Sequence, residues 1–393
     1  LDEARMRRQP EVVVRAEVED VPLGGVDARP LVAGHVEQAD LRWTERIVMY
    51  GFDKSGEYTI CTGLARFPNR NVTDAYAMVV RKGGETKVVR VSTQIDTGPV
   101  GLGSYTVGPY TYSVEEPLKR TRAVLQANEQ GLEIDLTLDG DFPAYEQTPA
   151  FHRERGRIKE NARRFYQNGT VTGHLVIDGE RVEIDPDQWW FGRDHSWGLR
   201  YGPGGGSLSE GGELQPTEIP AGALYYMGIF QFDDELVHFA QREDHIGNRI
   251  QFEGEVLTPL ANGGGSAPII DVDHDLTFRA GRRLIGDGSR FTVHRADRST
   301  SEIEVDPISD FWPGLGGYQE FKGYASGYWR GTDFIDGFTV NGDDAEVVAP
   351  VSMLSETLCE VRMKLDDGTE KVGHGLVEMV FLGANPRYGF EGW

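Results

Sequence analysis

The sequence predicts an all-β protein of antiparallel strands, and three observations carry that prediction. Fifty of its 393 residues are glycine, a residue that weakens helices and serves tight turns. Between the glycines lie short runs rich in β-branched and aromatic residues, the composition of strands. Helical periodicity is confined to Glu3–Arg8 and to RERGRIKENARRF, Arg153–Phe165.

Taken in order, the first half predicts strands at Arg46–Phe52, Tyr58–Phe67, Ala75–Lys82, Thr86–Thr93, Leu132–Leu138 and Val171–Ile184. The last is folded back on itself at Asp178-Gly179, a pair suited to a two-residue hairpin turn. The second half predicts strands at Ala223–Phe232, Leu236–Glu243, Arg249–Leu257, Asp275–Ala280, Arg290–Ala296, Ala345–Leu354, Cys359–Leu365 and Gly373–Gly383. Leu365–Glu370 (LDDGTE) and Val340–Asp344 (VNGDD) repeat the turn signal.

A chain of this length suggests two domains. Gly202–Pro220 is poor in apolar residues and punctuated by Gly and Pro, as a linker or mobile loop should be. It divides the chain into an N-terminal β domain, 1–201, a linker, 202–220, and a C-terminal β domain, 221–393. LANGGGSAP, Leu260–Pro268, is a second, shorter loop. All-β domains of such size are usually sandwiches or barrels.

The formal net charge of −23, from 63 acidic against 40 basic residues, repels phosphate backbones and anionic membranes, so nucleic acid is not an expected partner. No run of about 18 apolar residues marks a membrane span, and LDEARMRRQP, Leu1–Pro10, has no apolar leader core, which leaves an already removed leader open. A cytoplasmic protein is expected. Cys61 and Cys359 are too few for a disulfide framework and are expected as buried thiols.

Several familiar motifs fail. Gly98–Gly108 is glycine-rich but fits neither a dinucleotide fingerprint nor a P-loop. Asp271–Leu276 begins like a calcium loop, but Leu276 stands where the glycine belongs, leaving at most a weak site. Ser196 lacks the context of a nucleophile elbow. The nine histidines are scattered singly. No metal or other cofactor is therefore expected.

The segment QWWFGRDHSWGLR, Gln188–Arg200, concentrates three tryptophans with Arg193, Asp194, His195 and Arg200. FGRDHSWGLR, with FYQNGTVTGHLVIDGE upstream at Phe165–Glu180, resembles the hydroxyneurosporene synthase family and its AttH-like relatives in bacteria. WTERIVMYGFD, Trp43–Asp53, and GHGLVEMVF, Gly373–Phe381, also look like family positions. The resemblance implies two lipocalin-like antiparallel β-barrels side by side, and a pocket for a hydrophobic ligand. In the named relative it implies addition of water across an isoprenoid double bond.

Alkene hydration or its reverse needs an acid, a base and shelter from bulk water. Asp194 is the expected acid/base group, with His195 a competitor and Arg193 a charge partner. In a strand Asp194 and His195 would face opposite sides, so only one would meet a cavity. Arg200 binds a substrate oxygen or holds Asp194 ionised, while Trp190 and Trp197 supply apolar wall and aromatic faces for a developing cation. Glu45, Tyr318, His374 and Glu378 complete the candidates. The expected activity is that of a cofactor-free hydro-lyase, isomerase or cyclase on a terpenoid, steroid or aromatic molecule. Two alternatives stand beside it: a buried Arg–Asp pair with a purely structural role, and a non-catalytic carrier of the same ligand. Assembly as a homodimer is left open.

Overall fold

The computed structural model describes residues 36, 39–95, 103–154, 156–200 and 223–391. The expected helix at 3–8 and the expected linker at 202–220 lie outside the described residues. Elsewhere the chain is almost entirely strand, as expected, and forms two β units.

The first unit is one antiparallel sheet. Its strands are β1 (Trp43–Asp53), β2 (Tyr58–Phe67), β3 (Val72–Arg81), β4 (Glu85–Gln94), β5 (Ser104–Val107), β6 (Tyr110–Glu116) and β7 (Arg120–Leu125). They continue as β8 (Leu132–Gly140), β9 (Tyr145–Glu146), β10 (Ala150–Glu154), β11 (Arg157–Ile177), β12 (Glu180–Ile184) and β13 (Trp189–Leu199). The sheet curls around an apolar core drawn from nearly all of these strands, including Ile47, Leu64, Val89, Leu136 and Phe191.

The second unit is a closed barrel in the order β14 (Ala223–Gln231), β15 (Leu236–Glu243), β16 (Arg249–Thr258), β17 (Gly265–Asp275), β18 (Ser289–Arg295), β19 (Thr300–Phe311), β21 (Leu354–Leu365) and β22 (Glu370–Leu382). Between β19 and β21 the chain leaves the barrel and places β20 (Phe334–Asn341) beside β4, as the fourteenth strand of the first sheet. It then returns as β21 (Leu354–Leu365) and β22 (Glu370–Leu382). Arg90 of β4 fastens this excursion, donating to Asp336 of β20 at 2.9 Å and to the Phe321 carbonyl at 2.9 Å. Phe230, Phe239 and Phe291 fill the barrel. A third core lies between the units, where Tyr50, Phe52 and Trp190 meet Met227, Leu358 and Leu376.

Three local expectations are corrected. Arg153–Phe165 is not helical but forms β10, a turn and the start of β11. Gly156, at φ 79°, reverses the chain there, and pairing of β11 with β13 outweighs the amphipathic run. Ala345–Leu354 is not a strand: Asp344 caps a helical turn by accepting from the Glu346 N–H at 2.9 Å. Pro350 carries the chain on into a 3-10 turn, and strand resumes only at Leu354. In Asp275–Ala280, β17 stops at Asp275 and Phe278 makes an isolated bridge to Ile285.

Asp178-Gly179 does form the expected tight hairpin, both residues at positive φ. Asn341-Gly342 instead ends β20 without a returning strand. Cys61 and Cys359 are buried free thiols.

Candidate functional site

β13 sits at the centre of the first sheet, paired without a register break to β1 on one side and β11 on the other. Strand alternation then separates its side chains cleanly. Trp189, Phe191, Arg193, His195 and Trp197 face the curled interior; Trp190, Asp194 and Ser196 face the barrel.

The interior face is a closed hydrogen-bonded group. His195 Nε2 donates to Glu45 Oε1 at 3.1 Å, and Arg66 donates to Glu45 Oε2 at 2.8 Å. Tyr105 adds its hydroxyl to Glu45 Oε1 at 3.3 Å and its ring beneath Arg66. Burial alone would raise the Glu45 carboxyl; the bonds and charges of His195 and Arg66 outweigh it and hold that group below its ordinary value. Arg193 donates twice to Gln167 Oε1, at 2.7 and 3.2 Å, and lies over the Phe165 ring. Trp197 packs on Trp43, Ala144 and Phe165.

The face toward the barrel differs. Asp194 lies among Arg164, Arg200 and Arg46, with Arg164 Nε 3.7 Å from Oδ2. Its Oδ1 has no hydrogen-bond partner. Burial pushes its carboxyl above the ordinary value, against the pull of the arginines. Arg200 donates to Ser196 Oγ at 2.9 Å and to the Tyr318 hydroxyl at 3.0 Å, and Arg46 stacks on Tyr318 with 4.3 Å between guanidinium carbon and ring centre. Trp190 stacks against Tyr50. Gly192 makes room for that arrangement: a Cβ there would stand 3.0 Å from the Tyr50 ring.

Across the interface, Glu356 of β21 and Glu378 of β22 are directly opposed. The Tyr50 and Tyr225 hydroxyls, Trp190 Nε1, Arg46 Nε and Nη2 and Glu356 Oε2 are buried without partners. Where Arg46, Tyr76 and Tyr318 meet Asp74 and Ser326, a small pocket of about 10 Å3 opens, room for about one water.

The expected site residues therefore divide. Asp194, Arg200, Trp190, Tyr318 and Glu378 are brought together at the interface; Arg193, His195, Glu45 and Trp197 gather inside the first unit. His374 joins neither, its ring 5.9 Å from Phe52. Sequence reasoning missed Arg46, Arg164, Tyr50 and Glu356. The signal was there: Leu354, Glu356 and Leu358 share one strand face, as do Leu376, Glu378 and Val380, so a carboxylate interrupts each apolar stripe.

The calcium-like segment is strand, with Asp271 ion-paired to Arg249 and Asp273 hydrogen-bonded to His294. Among the described residues no group of three or more His, Cys, Asp or Glu side chains is placed to hold a metal ion. Nor is any helix among them long and apolar enough to cross a membrane.

A closed barrel beside a curled half-barrel sheet defines a double lipocalin-like β protein. Over residues 17–391 the sequence matches the family described as "Family of unknown function (DUF8625)", and the chain belongs to that family. No curated protein matches it. Among solved structures it is similar to an AttH protein of Nitrosomonas europaea, at 12% identity and TM-score 0.52, over 88% of this chain and 95% of that one. Kievitone hydratase from Nectria haematococca aligns at 12% identity and TM-score 0.47, over 86% and 88%. CghA with Sch210972 aligns at 13% identity and TM-score 0.49, over 87% and 89%. At such identities the likeness is one of fold, and the AttH structure carries it.

Proposed function

We propose that the chain is a cofactor-free acid–base enzyme, a hydro-lyase, isomerase or cyclase, acting on a hydrophobic small molecule at the interface of its two β units. Asp194 transfers the proton. Arg46, Arg200 and Tyr318 hold a substrate oxygen, and Trp190 and Tyr50 present aromatic faces to a developing positive charge. Arg193 and His195, on the opposite face, position the strand. A terpenoid, steroid or aromatic compound of the cytoplasm fits the apolar surroundings. The pocket at Tyr318, about 10 Å3, is far smaller than the roughly 300–1,000 Å3 of ordinary ligand sites, so substrate entry requires the surrounding walls to part locally.

One observation carries the reading: a mostly buried carboxyl, 14% exposed, keeps a bare oxygen among arginines and aromatic rings. A structural ion pair uses both oxygens. A carrier needs apolar lining and few ionisable groups, so the density of unpartnered polar atoms here favours the enzyme over the carrier.

The test is Asp194→Asn, which keeps the shape and removes the charge and the exchangeable proton. Purified protein is incubated with cell extract, and mass spectrometry follows metabolites that lose or gain one water or isomerise at constant mass. Conversion should fall by about 10²–10⁴-fold with thermal unfolding little changed. A folded variant that converts as well as wild type rules the assignment out.

A further inference from the structure

We propose that Glu356 is a second proton-transfer residue of the Asp194 site, supplying from the barrel side the proton whose counterpart Asp194 takes up from the sheet side. The inference rests on the acid–base reading above and adds the acid which that reading lacked.

The geometry begins with the register. Glu356 and Glu378 face each other across β21 and β22, and directly opposed side chains on neighbouring strands stand about 5 Å apart. Glu378 also sits opposite Met227 of β14, within the apolar wall that Leu358, Leu376 and Met227 present to the first unit. Two carboxylates so placed cannot both ionise without a cation between them. Arg164, whose charge reaches Glu356, is already engaged with Asp194 and donates to the Tyr166 hydroxyl at 2.9 Å. The pair therefore keeps one proton, and Glu356 holds it. Burial first, and then the charge and hydrogen bond of Glu378, push that carboxyl well above its ordinary range, with Asp194 adding to the effect.

Burial raises Asp194 as well, but three arginines oppose it there, whereas at Glu356 the neighbouring Glu378 adds to it. Two carboxyl groups set apart in this way by their surroundings are an arrangement that acid–base catalysis uses. Each of the two also keeps a free polar atom. Glu356 Oε2, Asp194 Oδ1 and the Tyr50 hydroxyl all lack partners, and Tyr50 is subject to the charges of Asp194, Glu356 and Glu378 together. Tyr50 shares a face of β1 with Val48, the residue paired with Asp194, and is thus within the field of both carboxyls.

For hydration of an alkene the step balances as follows. The Glu356 O–H gives its proton to one alkene carbon, the π pair forming the new C–H bond. The neighbouring carbon, left cationic, is attacked by a water oxygen. That water loses a proton to Asp194. The product is an alcohol, with Glu356 ionised and Asp194 protonated; return of one proton from Asp194 to Glu356 restores the start. Dehydration runs the same path in reverse.

The experiment joins infrared difference spectroscopy to turnover. At neutral pH, wild type minus Glu356→Gln should show the carbonyl band of a protonated carboxyl, shifted in heavy water, and Asp194→Asn should retain it. Conversion in cell extract should fall at least 100-fold in Glu356→Gln, and Glu356→Asp, which keeps the acid, should recover part of it. Absence of the band overturns the inference whatever the activities. Full conversion by Glu356→Gln beside a disabled Asp194→Asn also overturns it and leaves the Asp194 reading standing. If both variants convert as wild type does, the Asp194 reading fails and this inference with it.

Discussion

The two faces of β13 carry the same kinds of side chain and treat them in opposite ways. Inside the curled sheet, Glu45 accepts from His195, Arg66 and Tyr105. The closed barrel contains a matching group: Glu243 accepts from His274 at 2.5 Å, Arg387 at 3.1 Å and Tyr388 at 2.9 Å. Two β units thus bury a glutamate with the same three partner types, which is how a buried charge is made tolerable. Toward the interface, Asp194, Arg46, Tyr50 and Glu356 each keep a polar atom without a partner. Orphaned buried atoms cost stability, so they persist where something other than stability selects them. The satisfied face reads as structure and the unsatisfied face as site.

The contrast is broken most forcefully at Glu45. Glu45→Gln should leave Arg66 and His195 without a counter-charge and lower stability by about 3–5 kcal/mol, measured by denaturant unfolding. Its depressed carboxyl fixes the acid behaviour too: the stabilisation is present above the ordinary glutamate range and is lost as pH falls through the folded value. A variant as stable as wild type would mean that the interior group is not the structural one.

Much of this was legible in the sequence, for physical reasons that differ by region. Strands such as Tyr58–Phe67 were readable from composition, because a strand buried on both faces reads as a near-continuous run of apolar and β-branched residues. Asp178-Gly179 was readable because two consecutive positive-φ positions admit few residue pairs. Arg153–Phe165 misled because charges spaced like a helix surface also suit a long strand whose edges pair on both sides. At the site, Asp194 and Arg200 stood out in an unusual segment. Arg164 did not, and Glu356 showed only as a carboxylate interrupting an apolar stripe, because spacing along the chain does not report which strands face each other across the interface.

A smaller effect separates the interface from a merely apolar contact. His238 of β15 is buried between Tyr145 and Tyr166, ring centres 4.2 and 4.9 Å away, with both nitrogens unpartnered. Burial, helped by the charge of Arg164, pushes its pKa down to about 3. The folded protein thus holds it neutral while the unfolded chain protonates near pH 6.5, so its contribution is intact above that value and is lost as pH falls toward 3. On the order of 3 kcal/mol should disappear between neutral pH and about pH 4. His238→Gln should flatten that limb of the stability profile. An unchanged slope would mean that the unfolding measured does not open the interface.

The smallest expected effect tests whether Arg200 is positioned or merely packed. Ser196 is 1% exposed and accepts from Arg200 Nη1 at 2.9 Å, while Arg200 Nη2 reaches Tyr318 at 3.0 Å. Ser196→Ala removes one acceptor and leaves the second, so the guanidinium remains at the interface with one buried N–H unsatisfied. A hydrogen bond to a charged group contributes about 1.5–3 kcal/mol; with Tyr318 retained, the lower end is expected in denaturant midpoints. If Arg200 holds a substrate oxygen, the same loosening should raise KM by a few fold and leave kcat near wild type, since the proton-transfer groups are untouched. A stability loss with KM unmoved would assign Arg200 to packing alone, and the unsatisfied face would then begin at Asp194 rather than at the end of the strand.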